Sequence, residues 1–383
     1  MLEFFIDNWP WMLVGLAALA LLTVVFLAKP VRVGLKTLAM IVSLGISYKK
    51  NTGTVPSNVV VSDVIFRYGD RNIVANLYRP KDRRKHSALI MAHGAIKSGK
   101  DDRALRFGGQ SLASAGYIAL VPQLENLNRL RLHQDDIDAL AAGVRYLSEQ
   151  NFCNGRIGLM GVCLSAPLVF LAAAEPGISR NVAVITCWGG FYNINDWLQA
   201  VLALQYINGG EAKPWKPRDL LIEEAPKWLV ELLPDASDRA CLEEMLGDNS
   251  TDSLRNRLSP SGQAMYELLT NRDPKRVGEL WEKLDPEVRK TLNSLSPHTK
   301  IAQHNTKIAI IHTFNDDVIP WVESCKLVDG IDDENKVYFR IFRQFYHVSI
   351  EDLLKARISN LHHAISEAAQ FYLYMYSILY QLT

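Results

Sequence analysis

The stretch Gly155-Arg-Ile-Gly-Leu-Met-Gly-Val-Cys-Leu-Ser-Ala-Pro167 decides the fold. An apolar run, Ile157 to Met160, leads into Gly161, Val162, Cys163, Leu164 and Ser165, after which Leu168 to Glu175 has the character of a helix. A strand that bends sharply into a helix around a nucleophile needs small residues two before and two after it, because bulk there meets the turn's own backbone. Gly161 and Ser165 fill those places and Cys163 sits where the nucleophile belongs, so the spacing predicts a nucleophile elbow. Cysteine stands for the usual serine, and serine for the usual second glycine. Taken alone, the pattern also fits a buried cysteine beside a small residue in an ordinary core.

Working outward, short β-branched and aromatic runs alternate with helical patterns. Val59 to Tyr68 and Asn72 to Tyr78, joined through Gly69-Asp70, predict an antiparallel pair. Ser87 to Ala92, Tyr117 to Val121, the elbow strand, Val182 to Cys187, Lys307 to His312 and Val337 to Phe342 are apolar enough for strands buried on both faces. Arg103 to Ala115 and Asp135 to Glu149 read as helices between them, and Ile350 to Leu382 as a final amphipathic helical region. The expected class is therefore α/β, about eight mostly parallel strands with helices on both faces.

Between Cys187 and Lys307 lies an insertion of helical pattern, with Asn195 to Ile207, Ala225 to Leu233, Asp238 to Leu246 and Ser261 to Leu269 as its helices. Placed at the carboxyl ends of strands, it forms a cap over the crevice where open α/β sheets bind ligands. Trp197, Trp215, Trp228 and Trp281 are candidates for a pocket wall or, more simply, for packing the cap. The expected division is a membrane anchor and juxtamembrane segment over 1–50, a core over 51–190 and 301–383, and a helical cap over 191–300.

Composition narrows the function. The 383 residues are 48% hydrophobic and 22% charged, as in ordinary globular proteins. With 42 basic against 41 acidic residues, the overall charge gives no sign of a nucleic-acid partner. Zinc-like spacings, a Walker loop and G-x-G-x-x-G do not occur, and no metal or organic cofactor is implied. Five scattered cysteines are odd in number and do not make a disulfide framework, which favours a reducing compartment.

Trp11 to Ala28 is uncharged and apolar, and eighteen residues give roughly 27 Å of helix, near the thickness of a bilayer core. It is preceded by Glu3 and Asp7 rather than a basic region, which favours an uncleaved anchor over a signal peptide. Lys29, Arg32, Lys36, Lys49 and Lys50 follow it, so the positive-inside rule leaves the rest of the chain in the cytoplasm. Val33 to Ser47 is a second apolar stretch, readable as an interfacial helix or the return arm of a hairpin.

The order of these elements resembles that of an α/β-hydrolase over roughly residues 58 to 375. His93-Gly94 follows the third strand, the Cys163 elbow the fifth, then come a cap, Asp316 and His347. Within that superfamily the chain is most similar to dienelactone hydrolases, whose elbow also carries cysteine. The likeness rests on Leu89-Ile-Met-Ala-His-Gly94, Leu112-Ala-Ser-Ala-Gly-Tyr117 and Arg156-Ile-Gly-Leu-Met-Gly161, and the long insertion departs from those compact enzymes. A cysteine elbow with a distant acid and histidine is also similar to polyhydroxyalkanoate synthases, which are acyltransferases.

The chemistry can be argued on its own terms. A cysteine attacks an acyl carbon as the thiolate, so it needs a base, and the base needs an orienting group. His347, in a loop after the last strand, is the candidate base; His312 reads as structural, His93 as a shaper of the loop after the third strand, and His362 and His363 as surface or packing residues. His312-Thr-Phe-Asn-Asp-Asp-Val-Ile-Pro320 resembles the α/β-hydrolase segment in which an acid follows the strand and a Val-Pro pair comes a few residues later, and that resemblance, counted back four residues from Pro320, implies Asp316 as the acid, with Asp317 its neighbour and rival and Asp196 an outside candidate; each of the first two also suits a helix cap. Backbone N–H groups of Ala95, with Ile96 as fallback, and Leu164 would form the oxyanion hole. Lys97, Lys100, Asp101 and Asp102 read as a solvated charge cluster that could also meet a polar substrate.

Three functions follow: a membrane-anchored hydrolase of an ester, thioester or lactone, an acyltransferase with the same triad, and a silent protein that keeps the fold. The expected partner is a lipophilic acyl compound.

Overall fold

The structure, a computed structural model, describes residues 12, 23, 28–50, 54–247, 252–343 and 361–383. Its centre is an eight-stranded sheet. In chain order the strands among the described residues are β1 (Val59–Tyr68), β2 (Arg71–Pro80), β3 (His86–Ala92), β4 (Ile118–Pro122), β5 (Cys153–Val162), β6 (Val182–Trp188), β7 (Gln205–Asn208), β8 (Glu211–Pro214), β9 (Lys307–Thr313) and β10 (Lys336–Phe342). The large sheet runs β1-β2-β4-β3-β5-β6-β9-β10. Its first two strands form an antiparallel hairpin, β2 pairs antiparallel with β4, and the remaining pairs are parallel. The central strands are buried on both faces, β3 from Ser87 to Ala92 and β4 throughout. Their unbroken apolar runs have this cause.

Helices cover both faces. Leading the described residues is α1 (Lys29–Lys50), followed by α2 (Arg103–Ser114), α3 (Gln134–Ser148) and α4 (Ser165–Ala173). On one face α3 and α4 pack into the larger core; on the other, α1, α2 and the last helix (Leu361–Leu382) pack against Leu89, Met91, Val184 and Ile311.

Val33 to Ser47, read as interfacial or as a return arm, falls within the 22-residue α1. This helix is docked on the body: Val33, Thr37, Met40 and Leu44 are buried, spaced to share one face. Gly34 allows the last helix close, since a Cβ there would stand 2.9 Å from the Tyr372 hydroxyl. Leu35, Leu38, Val42 and Ile46 remain about half exposed on the other side. By length and composition α1 could cross a membrane. Of the expected span Trp11 to Ala28, most lies outside the described residues.

The insertion is helical, as expected, with one difference. Its first helix (Ile194–Ala203) stops at Leu204, which takes a left-handed conformation at φ 57°, and β7 and β8 then form a small hairpin. The helix expected to run to Ile207 is thus cut short by four residues. Further helices span Asp219–Glu231, Ala236–Gly247, Pro260–Thr270, Val277–Lys283 and Pro286–Ser294. Trp197, Trp228 and Trp281 are buried in the core.

Candidate active site

β5 ends at Val162 and α4 begins at Ser165, so the chain reverses within two residues. Cys163 carries the bend with φ 59°, a left-handed conformation that costs a side-chain-bearing residue free energy and is held here by its surroundings. Its own N–H donates to the Trp188 carbonyl at the end of β6 (2.8 Å), and its carbonyl accepts from Ala166 N–H (2.9 Å). A Cβ on Gly161 would fall 2.5 Å from Ala166 Cα and 2.6 Å from the Ser165 carbonyl oxygen, so no larger residue fits.

The serine at the second small position has a bonding role. Ser165 is fully buried, and its Oγ accepts from Val162 N–H (2.8 Å) while lying within reach of the Ala92 (3.1 Å) and Val162 (2.9 Å) carbonyls. The hydroxyl ties the elbow to the end of β3. Glycine would leave Val162 N–H without this acceptor.

The loop after β3 lies against the elbow, since a Cβ on Gly94 would meet Cys163 Cβ at 3.5 Å. His93 fixes that loop: Leu124 N–H donates to Nε2 (3.0 Å), leaving Nδ1–H to donate to the Gly94 carbonyl (2.7 Å). Both ring nitrogens are used by the neutral form, and burial pushes the imidazole below its ordinary value. Among the described residues, the N–H groups of Ala95 and Leu164 enter no backbone hydrogen bond, whereas Ile96 N–H donates to Gly94. Lys100 and Asp101 bond each other and Asn76, and Asp102 caps α2. These charges are therefore already occupied.

Asp316 and Asp317 separate clearly. Asp316 is buried, its Oδ1 accepting from Val318 N–H (2.7 Å) and Ile319 N–H (3.0 Å), with Oδ2 3.5 Å from His312 Nε2. Two cap tryptophans hold this turn, Trp215 donating to the Asp316 carbonyl and Trp197 to that of Val318. Asp317 faces solvent in an ion pair with Arg218 (3.0 Å). Asp196 pairs with Lys326 (2.6 Å). His312 is fully buried between Ser324 Oγ (2.6 Å) and the Ile319 carbonyl (3.0 Å). His347 lies outside the described residues; its segment follows β10, next to β9 in the sheet.

A buried carboxylate not singled out in the sequence braces the same edge. Glu323 accepts from Tyr192 and Asn193 N–H and pairs with Lys326, and burial pushes its carboxyl above the usual range. Cys163, Gly94, Ala95 and Val318 border a cavity of about 330 Å³ that runs under α1 and α2. The four cap tryptophans do not line it, whereas Trp188 does.

Strand order, a left-handed residue between β5 and α4, the loop after β3 packed on it and a buried acid after β9 now stand together. The fold is that of the α/β-hydrolases. Among solved α/β-hydrolase structures, 2,6-dihydroxy-pseudo-oxynicotine hydrolase aligns with a TM-score of 0.50 and 14% identity, over 84% of this chain and 68% of its own. A Pyrococcus horikoshii acylaminoacyl peptidase aligns at 0.48 and 14%, over 88% and 42%. Brefeldin A esterase, a bacterial protein, aligns at 0.46 and 13%, over 90% and 87%. In sequence, carboxymethylenebutenolidases of Pseudomonas putida and Pseudomonas knackmussii are 38% identical over 55 residues, 14% of this chain. The match spans 20% of the length of these curated relatives. No protein-family model matches the chain.

Proposed function

We propose that this α/β-hydrolase is a membrane-anchored acyl hydrolase that cleaves an ester, thioester or lactone through Cys163, His347 and Asp316. The observation that carries the reading is Cys163, which holds a left-handed backbone at the mouth of a cavity, between a strand end and a helix start. An inert core cysteine has no need of that conformation. Cys187, fully buried in β6, is the contrast: it does not line the cavity.

His347 takes the proton of the Cys163 thiol, and Sγ attacks the acyl carbon. The carbonyl electrons move to oxygen, where Ala95 and Leu164 N–H groups receive the charge. As the tetrahedral intermediate collapses, the leaving oxygen or sulfur takes the proton from His347 and Cys163 remains acylated. Water, deprotonated by His347, then releases the carboxylic acid and restores the thiol. Asp316 orients His347 and stabilises its cation. The local identity to carboxymethylenebutenolidases supports acyl chemistry of the lactone or ester kind. The apolar stretch Trp11 to Ala28 and the basic residues after it support membrane attachment with the domain on the cytoplasmic side.

Mixing the full chain with an activated acetyl ester, quenching in acid within the first turnover and mapping the adduct tests the reading. Label on Cys163 that falls at least tenfold in His347→Ala supports it. An unlabelled Cys163, or label indifferent to His347, overturns it.

A further inference from the structure

The cavity beside Cys163 extends inward from the sheet edge. Gly94 and Ala95 border its mouth, and Leu89 lies deep on the same strand and loop. The lining thus runs from the loop after β3 back along the strand, into the space between sheet and helices. Its side walls come from elements at opposite ends of the sequence, Met40 and Leu44 on α1 and Met375 on the last helix, with Leu112 on α2. Met40 and Met375 are unbranched, flexible side chains that yield to a ligand's shape.

Charged groups on the lining are already engaged. Asp102 accepts from Ala104 and Leu105 N–H, and Arg218 is paired with Asp317. A ligand that enters is therefore held by removal of apolar surface from water, with its polar end at Cys163. A volume of about 330 Å³ lies within the range of pockets that take a small organic ligand.

We propose that this cavity is the site for a long unbranched acyl chain, and that Met40 and Leu44 of α1 set the length it accepts. The inference rests on Cys163 being the acylated residue only for the placement of the head group; the chain site is defined by the cavity itself. In this assignment α1 is part of the substrate site. A fatty acyl ester or thioester would lie with its carbonyl at Cys163 and its methyl end between α1, α2 and the last helix.

The test uses the full chain in non-ionic detergent with dodecanoic acid carrying a diazirine at its methyl end. Irradiation and peptide mapping should place the label on α1, α2 or the last helix around Met40, Leu112 and Met375. Met40→Trp and Leu44→Phe, each checked for an unchanged melting temperature, should cut that labelling at least fivefold. In an ester series, either substitution should lower kcat/KM for the dodecanoate at least tenfold relative to the acetate. Label confined to the protein surface, or labelling and chain preference untouched by both substitutions, overturns the chain site. An acetyl ester that never modifies Cys163 overturns the catalytic reading instead, and the diazirine labelling still decides the chain site.

Discussion

At the residue scale the elbow explains its own departures from G-x-S-x-G. Ser165 retains the small size the bend requires and adds an acceptor for Val162 N–H. Ser165→Ala should therefore cost about 1–3 kcal/mol in denaturant unfolding, because a buried N–H loses its partner. Gly161→Ala, which drives a Cβ into the backbone of Ala166, should cost about 3 kcal/mol or more. The two aspartates predict different kinetics. Asp316→Asn, at a buried position fixed by two backbone donors, should slow acylation of Cys163 by about a hundredfold or more. Asp317→Asn, which removes a solvent-facing ion pair, should leave the rate within about twofold. Acylation rates of the three proteins decide between them; equal losses would remove Asp316 from the triad.

At the element scale the strands were legible because burial on both faces leaves unbroken apolar runs, and the elbow because Gly161 has no alternative. Less was legible where the sequence has two equal faces. In α1, Val33, Met40 and Leu44 differ little in character from Leu35, Leu38, Val42 and Ile46, so composition cannot say which side docks. The β7–β8 hairpin was hidden because Gln205-Tyr206-Ile207 continues a helical apolar pattern, and only the left-handed turn at Leu204 ends it. The choice between Asp316 and Asp317 rested on counting, since burial separates them and neighbouring aspartates look alike in sequence. Helix α3 carries a further prediction. Asp136, in its first turn, accepts from Leu127 N–H (2.9 Å), and burial pushes its carboxyl up to about 6 from 3.8. Because the folded state binds this proton more tightly than the unfolded state, its contribution is fully present below about pH 4 and is lost as pH rises through 6. The stability of the wild type relative to Asp136→Asn should fall by about 3 kcal/mol across that window. A flat difference from urea melts at pH 4 to 7 would contradict the assignment.

At the scale of the whole molecule, α1 and the last helix close one face of the sheet together. The last helix bonds to β3, β5 and β6, where Ser87 Oγ meets the Leu382 carbonyl, Arg156 the Gln381 carbonyl and Thr186 the Tyr374 hydroxyl, and Thr383, just beyond it, meets Tyr117, just before β4. A chain beginning at Lys29 should keep the melting temperature of the full chain and be released from membranes by alkaline carbonate, which the full chain should resist. One beginning at Asn51 should melt several degrees lower and bind a hydrophobic dye, since Leu112 and Met375 lose their cover. Carbonate extraction and melting of the two truncations check both statements, and a truncation at Lys29 that stays in the membrane pellet would contradict attachment through the preceding stretch. The contact between Gly34 and Tyr372 spans 338 residues. Loop closure over that distance is entropically costly and cannot form while the chain is growing. On a ribosome, Cys163 would be made and its strand paired long before the cavity had its outer wall, so the nascent domain would expose an apolar trough until the final helix arrived.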